Sequence, residues 1–159
     1  MTFVYADNID TDGIIAGKYT KSLDAYEWPQ HVFEDLDPDF KSQVKAGDVV
    51  VAGWNFGCGS SREQAPVAIK LAGVSVVIAR TFARIFFRNA TNIGLPLLEI
   101  RDHDIDAGDE LEIDLKTGQV LNKTKQKNYQ AAAMPQVMID ILAEGGLVPY
   151  LKKYGTYQI

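Results

Sequence analysis

GDVVVAGWNFGCGSSREQAPVAIKLAG, residues 47–73, carries three structural signals in succession. Its first part, GDVVVAG (47–53), is a short apolar run with β-branched residues bounded by glycines, which predicts a buried strand. Its last part, SSREQAPVAIKLAG (60–73), has the signature of a helix start. Ser60 or Ser61 stands as N-cap, Glu63 lies three beyond Ser60 as in a capping box, and Gly73 closes the end. Pro66 falls within the early turns, where its missing N–H costs least if the helix begins a little later. Strand, glycine loop and helix in this order place orphan N–H groups and a helix dipole where they favour a small anion.

Outward from this stretch the same alternation continues. VSVVIA (74–79) reads as a second buried strand, and TFARIFFRNATNIG (81–94) as an amphipathic helix capped by Thr81 and ended at Gly94. LPLLEI (95–100) and DELEID (109–114) read as strands, with KTGQV (116–120) turning the latter back through Gly118. The beginning, FVYADNIDTDGIIAGKY, reads as a short strand, a polar turn and a glycine-broken loop. The tail, MPQVMIDILAEGG and LVPYLKKYG, suggests two short helices. The predicted fold class is therefore α/β, a mostly parallel core with antiparallel additions behind it.

At 159 residues the chain is long enough to bury a core without disulfides or metals, and it shows no internal repeat or linker. A formal net charge of -5 speaks against nucleic acid, whose binders usually carry a basic stripe. The single basic cluster, KTKQKN (123–128), reads as a solvated hairpin. The lone cysteine, Cys58, excludes an internal disulfide and by itself holds neither zinc nor an iron–sulfur centre. No apolar run has membrane-spanning length and MTFVYADNID lacks a signal pattern, so the expected location is cytoplasmic.

Common phosphate motifs fail at the loop. A P-loop would end in Gly-Lys-Ser/Thr, and a dinucleotide fingerprint would need glycine where Arg62 stands. Arg62 instead offers a permanently charged planar fork suited to a carboxylate or phosphate. A serine nucleophile would need a base, yet His31 and His103 sit in polar contexts that read as surface and pair with nothing nearby. Cys58, between two glycines, reads as a small space filler. Asp7, Asp10 and Asp12 lack the central glycine and closing glutamate of a calcium loop, so turns built on their side chains are the favoured reading. From these residues alone the chain is an enzyme part or a stand-alone small-anion-binding module.

Two stretches, NIDTDGIIAGKY (8–19) and NFGCGSSREQAPVAIK (55–70), together resemble the aconitase superfamily, the first its swivel-domain loop and the second its serine–arginine motif. GVSVVIARTFARIFFRNATNIGLPLLEI, which follows, is similar to the same domain, so the resemblance covers roughly the first two-thirds of the chain. In length and pattern the chain is similar to the free-standing small subunits of isopropylmalate dehydratases of the short type. Those of homoaconitase and 2,3-dimethylmalate dehydratase are close in pattern.

The resemblance implies a single swivelling β/β/α domain over residues 1–159, of the aconitase C-terminal type. It would close over a large subunit that carries the [4Fe–4S] cluster, with no cofactor in this chain. The implied reaction is the hydro-lyase step of leucine biosynthesis, in which water leaves and returns to move a hydroxyl between neighbouring carbons of a malate-type di- or tricarboxylic acid. Ser60 then occupies the position of the base that takes the carbon-bound proton. Ser61 and Arg62 hold a substrate carboxylate, while Asp10, Thr11 and Asp12 orient the opposing loop. Lys21 stands two places after Tyr19, where isopropylmalate members carry an apolar residue and homoaconitases an arginine. It departs from both patterns, and either meets a distal carboxylate or lays its stem over an apolar group with its head in water.

Overall fold

The computed structural model describes residues 1–22 and 24–157. Four strands, β1 (Thr2–Val4), β2 (Val49–Ala52), β3 (Val76–Ala79) and β4 (Leu97–Glu99), form one sheet in the order β1-β2-β3-β4, every neighbouring pair parallel. Three more, β5 (Leu111–Asp114), β6 (Gln119–Asn122) and β7 (Lys127–Gln130), form an antiparallel meander. Between β1 and β2 lie the one-turn helices α1 (Thr11–Ile14) and α2 (Phe40–Gln43). Helices α3 (Gln64–Leu71) and α4 (Arg84–Asn92) make the β2–β3 and β3–β4 crossovers, and α5 (Gln136–Ala143) and α6 (Leu147–Tyr154) end the chain.

Parallel strands that follow one another in sequence order, joined by right-handed crossovers, leave all their helices on the same face. The other face must be covered differently, and the antiparallel sheet covers it. The strands show the consequence residue by residue. Val50, Ala52, Val77, Ala79 and Leu97 pack into the core shared with Ala68 and Ile69 of α3 and Phe86 and Ala90 of α4. Their neighbours Val49, Val51, Val76, Ile78 and Leu98 pack against Val120 and Ala131 on the meander side. Burial on both faces explains why these strands read as unbroken apolar runs rather than alternating ones. Each fully buried Val, Ile or Leu contributes about 1.5–3 kcal/mol. The result is the β/β/α layering of the predicted class.

Both predicted helix caps are corrected. Helix α3 begins at Gln64, with Glu63 as an N-cap that makes no side-chain hydrogen bond. Pro66 explains the shift. Capped at Ser60, the helix would hold proline in its interior, losing a hydrogen bond and clashing with the preceding turn; starting at Gln64 keeps it in the first turn. Helix α4 begins at Arg84, because Phe82 is bridged to Phe56 and residues 81–83 stay extended. Thr81 does not cap it; its hydroxyl accepts from the Asn55 amide at 2.8 Å.

The basic cluster does form a hairpin, but its lysines are paired. Lys123 meets Glu112 at 2.9 Å, Lys125 meets Asp106 at 2.7 Å, and Lys127 and the Tyr129 hydroxyl both donate to Asp104. These two donors hold the Asp104 carboxyl down to about 2, below its ordinary 3.8. A carboxylate depressed by folding adds stability above its unfolded pKa and loses it as pH falls through the folded one. Asp104→Asn is therefore expected to melt below wild type at neutral pH, with the difference closing between about pH 4 and pH 2, as thermal melts across that range would read.

His103 is not the surface residue predicted. Its two ring nitrogens are buried without hydrogen-bond partners, beside the Arg80 guanidinium, which donates to the carbonyls of Arg101 and His103. Burial, then Arg80, lowers its pKa below the usual histidine range. His31 is half-buried, stacked on Tyr19 with ring centroids 3.6 Å apart. Among the described residues, no helix is long and apolar enough to cross a membrane.

Candidate active site

The loop after β2 leaves the carboxyl edge of the parallel sheet, the edge where open α/β sheets bind ligands. It is fastened on two sides. Toward α4, the Phe56 amide donates to the Thr81 carbonyl at 3.0 Å and the Ala83 amide to the Phe56 carbonyl at 2.9 Å. Toward α1, the Gly57 amide donates to Ile9 O at 2.7 Å, the Thr11 amide to Cys58 O at 2.9 Å, and the Thr11 hydroxyl to Ser60 O at 3.0 Å. Gly57 and Gly59 take φ of 77° and 88°, a left-handed conformation that a side chain resists. A Cβ on Gly57 would also overlap the buried Phe86 ring. Gly57→Ala is expected to cost about 1–2 kcal/mol in backbone strain and about 1–3 kcal/mol in overpacking. Thermal unfolding should then show a melting temperature lower by roughly 10 °C.

Within this frame Arg62 is held in one orientation. Nη1 and Nη2 both donate to the Asp12 carboxylate, the latter at 2.9 Å, and Nη1 also donates to Ile15 O at 3.1 Å. Asp12 is kept ionised in return, its pKa lowered chiefly by the hydrogen bond from Arg62. Gly17 closes the near side: a Cβ there would lie 3.3 Å from Nη2. A guanidinium has five N–H donors. Asp12 takes two and Ile15 one, which leaves Nε–H and the second Nη2–H, a parallel pair spaced for another carboxylate.

Ser60 and Ser61 lie beside this fork, exposed and outside any helix. Among the described residues, the amides of Gly59, Ser60, Ser61, Arg62 and Glu63 donate to nothing. Helix α3 begins immediately after them without a side-chain cap. A run of open amides, a half-free guanidinium and a helix start thus follow one another within residues 59–64, a set that suits the carboxylate of a small acid.

Residues 4–103 match the aconitase C-terminal domain family. The chain belongs to that family. It is similar to the 3-isopropylmalate dehydratase small subunit of Clostridium beijerinckii, 56% identical over 94% of each chain. It is also similar to the 2,3-dimethylmalate dehydratase small subunit of Eubacterium barkeri, 52% identical over 94% of this chain and 93% of that one. Among solved structures it resembles 3-isopropylmalate dehydratase (leuD) from Methanocaldococcus jannaschii, with a TM-score of 0.91 and 46% identity over 97% of this chain and 92% of the other.

This aconitase C-terminal domain brings together six of the seven residues singled out in the sequence. Asp10 caps α1, its Oδ1 accepting from the Gly13 amide at 2.6 Å, and so sets the turn that presents Thr11 and Asp12 to the loop. Lys21 stands apart: it is exposed, in the turn after Tyr19, and no described residue pairs with its ammonium. Sequence reasoning missed the Ile15 carbonyl and Gly17, because a backbone acceptor and an absent side chain leave no motif. It also missed the clamp between the two loops, where Asp7 Oδ1 accepts from the Trp54 amide at 2.8 Å and Asn55 donates to Asn8 at 3.1 Å. Asn8 and Asn55 have φ of 57° and 61°, and asparagine's tolerance of that region was the one available signal.

Proposed function

We propose that the chain is the small subunit of a 3-isopropylmalate dehydratase (isomerase), a hydro-lyase of leucine biosynthesis that is active only with a large subunit. The observation that carries this reading is the Arg62 fork, fixed by Asp12 and Ile15 with one two-pronged face left over, beside two exposed serines. Residues 1–159 act as one swivel domain in this reading, in the cytoplasm, where a soluble biosynthetic acid is made and used.

Ser60 is the base and Ser61 and Arg62 hold a substrate carboxylate. An ordinary serine hydroxyl is far too weakly acidic to be ionised at neutral pH. The open amides of residues 59–63, the α3 start and the Arg62 charge supply the field that favours its alkoxide when it takes a proton from carbon. Asp12 and Ile15 keep Arg62 from following the substrate, so the carboxylate is positioned relative to Ser60 rather than relative to a mobile side chain. Closure of the domain would exclude water from this spot.

A cluster does not fit in this chain. The one cysteine is Cys58, and among the described residues no three His, Cys, Asp or Glu side chains gather to hold a metal ion. In this reading the [4Fe–4S] cluster belongs to the large subunit, where it would supply Lewis-acid chemistry to the substrate hydroxyl.

The Eubacterium relative favours a second substrate, 2,3-dimethylmalate, which shares the diacid and differs in its apolar arm. An acid with a third carboxylate, as in homoaconitase, would instead engage Lys21. The test is anaerobic reconstitution of the chain with its cognate large subunit, iron and sulfide, assayed on isopropylmalate, dimethylmalate and homocitrate-type acids with each subunit alone as control. Turnover of the isopropyl acid by the pair and by neither subunit alone is the expected result. Preference for the tricarboxylate would replace the substrate, and anion binding without turnover would reduce the chain to a binding module.

A further inference from the structure

Residues 64–98 contain no Asp or Glu, although the chain has 21 of them and a net charge of -5. Four cations lie in that segment: Lys70, Arg80, Arg84 and Arg88. Two are used inside the fold. Lys70 donates to the carbonyls of Ile93 and Gly145, closing the ends of α4 and α5, and Arg80 donates to those of Arg101 and His103. Arg84 and Arg88 are exposed, and among the described residues neither has an ion pair or hydrogen bond. One turn apart on α4, they project from one side of the helix, beside Ile85, which is 51% exposed. Together with Glu99, whose carboxylate pairs with Arg101 at 3.3 Å, they border a recess of about 330 Å³ floored by Phe82 and Phe87.

This face is continuous with the candidate site. Phe86, the next residue of α4, packs against Gly57, and the strand-like segment leading into the helix is bonded to Phe56. A body that closes over Ser60 therefore passes the start of α4. We propose that the Arg84–Ile85–Arg88 face is where the large subunit docks, through carboxylate side chains flanking an apolar one that enters the recess. This rests on the small-subunit reading above. Paired cations select an acidic surface, and they repel the same face of a second copy in a two-fold arrangement. Arginine beside aromatic and aliphatic area is also the composition that dominates binding energy at protein interfaces.

The test uses the full chain titrated into its cognate large subunit, read both as sedimentation and as turnover against small-subunit concentration. Arg84→Glu/Arg88→Glu is expected to weaken assembly by roughly 10- to 100-fold and to flatten its salt dependence, with kcat recovered at saturating subunit. Arg84→Lys/Arg88→Lys keeps the charge and should stay within a few-fold of wild type, which separates docking from damage to α4. Lys152→Glu, on exposed α6, should change nothing. Unchanged affinity in the glutamate variant, or self-association of the chain through this face, would overturn the docking surface while leaving the function intact. A wild-type chain that neither assembles nor turns over with the large subunit would overturn both.

Discussion

Ser60→Ala is expected to cut turnover of the assembled complex by orders of magnitude while leaving assembly and folding as they were. The hydroxyl is exposed, and the contact that fixes this residue is made by its backbone carbonyl, which accepts from Thr11. Alanine therefore removes the hydroxyl proposed as the base and keeps the hydrogen bond. A positioned general base contributes about 10²–10⁴-fold, so kcat should fall by roughly that factor with KM little changed. Sedimentation of the complex and its melting temperature should match wild type. Turnover within a few-fold of wild type would remove Ser60 from the mechanism. Loss of assembly alongside activity would make it an interface residue instead.

Arg62→Lys is expected to weaken substrate binding more than the retained charge suggests. The guanidinium is bonded to Asp12 on its end and to Ile15 O, and in the proposed site a substrate carboxylate takes its free side. An ammonium is a point charge without that planar division of labour, and it would go to Asp12, the partner always present. Losing a charge-assisted pair costs about 1.5–3 kcal/mol, so KM should rise by roughly 10- to 100-fold in steady-state assays. The same substitution leaves the Asp12 carboxyl paired. An unchanged KM would show that the open face of the fork is not where the acid binds.

The strands of the parallel sheet were legible because burial on both faces leaves apolar runs, as at Val49–Ala52 and Val76–Ala79. The loop was legible because glycines, serines and an arginine at a helix start have few structural uses in common. The cap positions were not, since a Ser-x-x-Glu signal is local while the helix start was decided by Pro66 and, for α4, by the Phe56–Phe82 bridge across the chain. His103 was misread for the same reason: a polar neighbourhood in sequence says nothing about the Arg80 side chain that shelters it. The Asp12–Arg62 pair joins residues 50 positions apart, and the reading that Asp12 orients the site came from resemblance, not from spacing.

Pro66 has an evolutionary consequence. A chain selected for stability alone would replace it, let α3 grow backward over residues 60–63, and gain hydrogen bonds from the amides of the present first turn to the carbonyls of residues 60–63. Ser60 would become a cap and Arg62 would turn with the helix, away from Asp12. The proline thus works as a stop that keeps a short segment unfinished, and engineering for heat resistance should leave it alone, since the sturdier protein would be the inactive one.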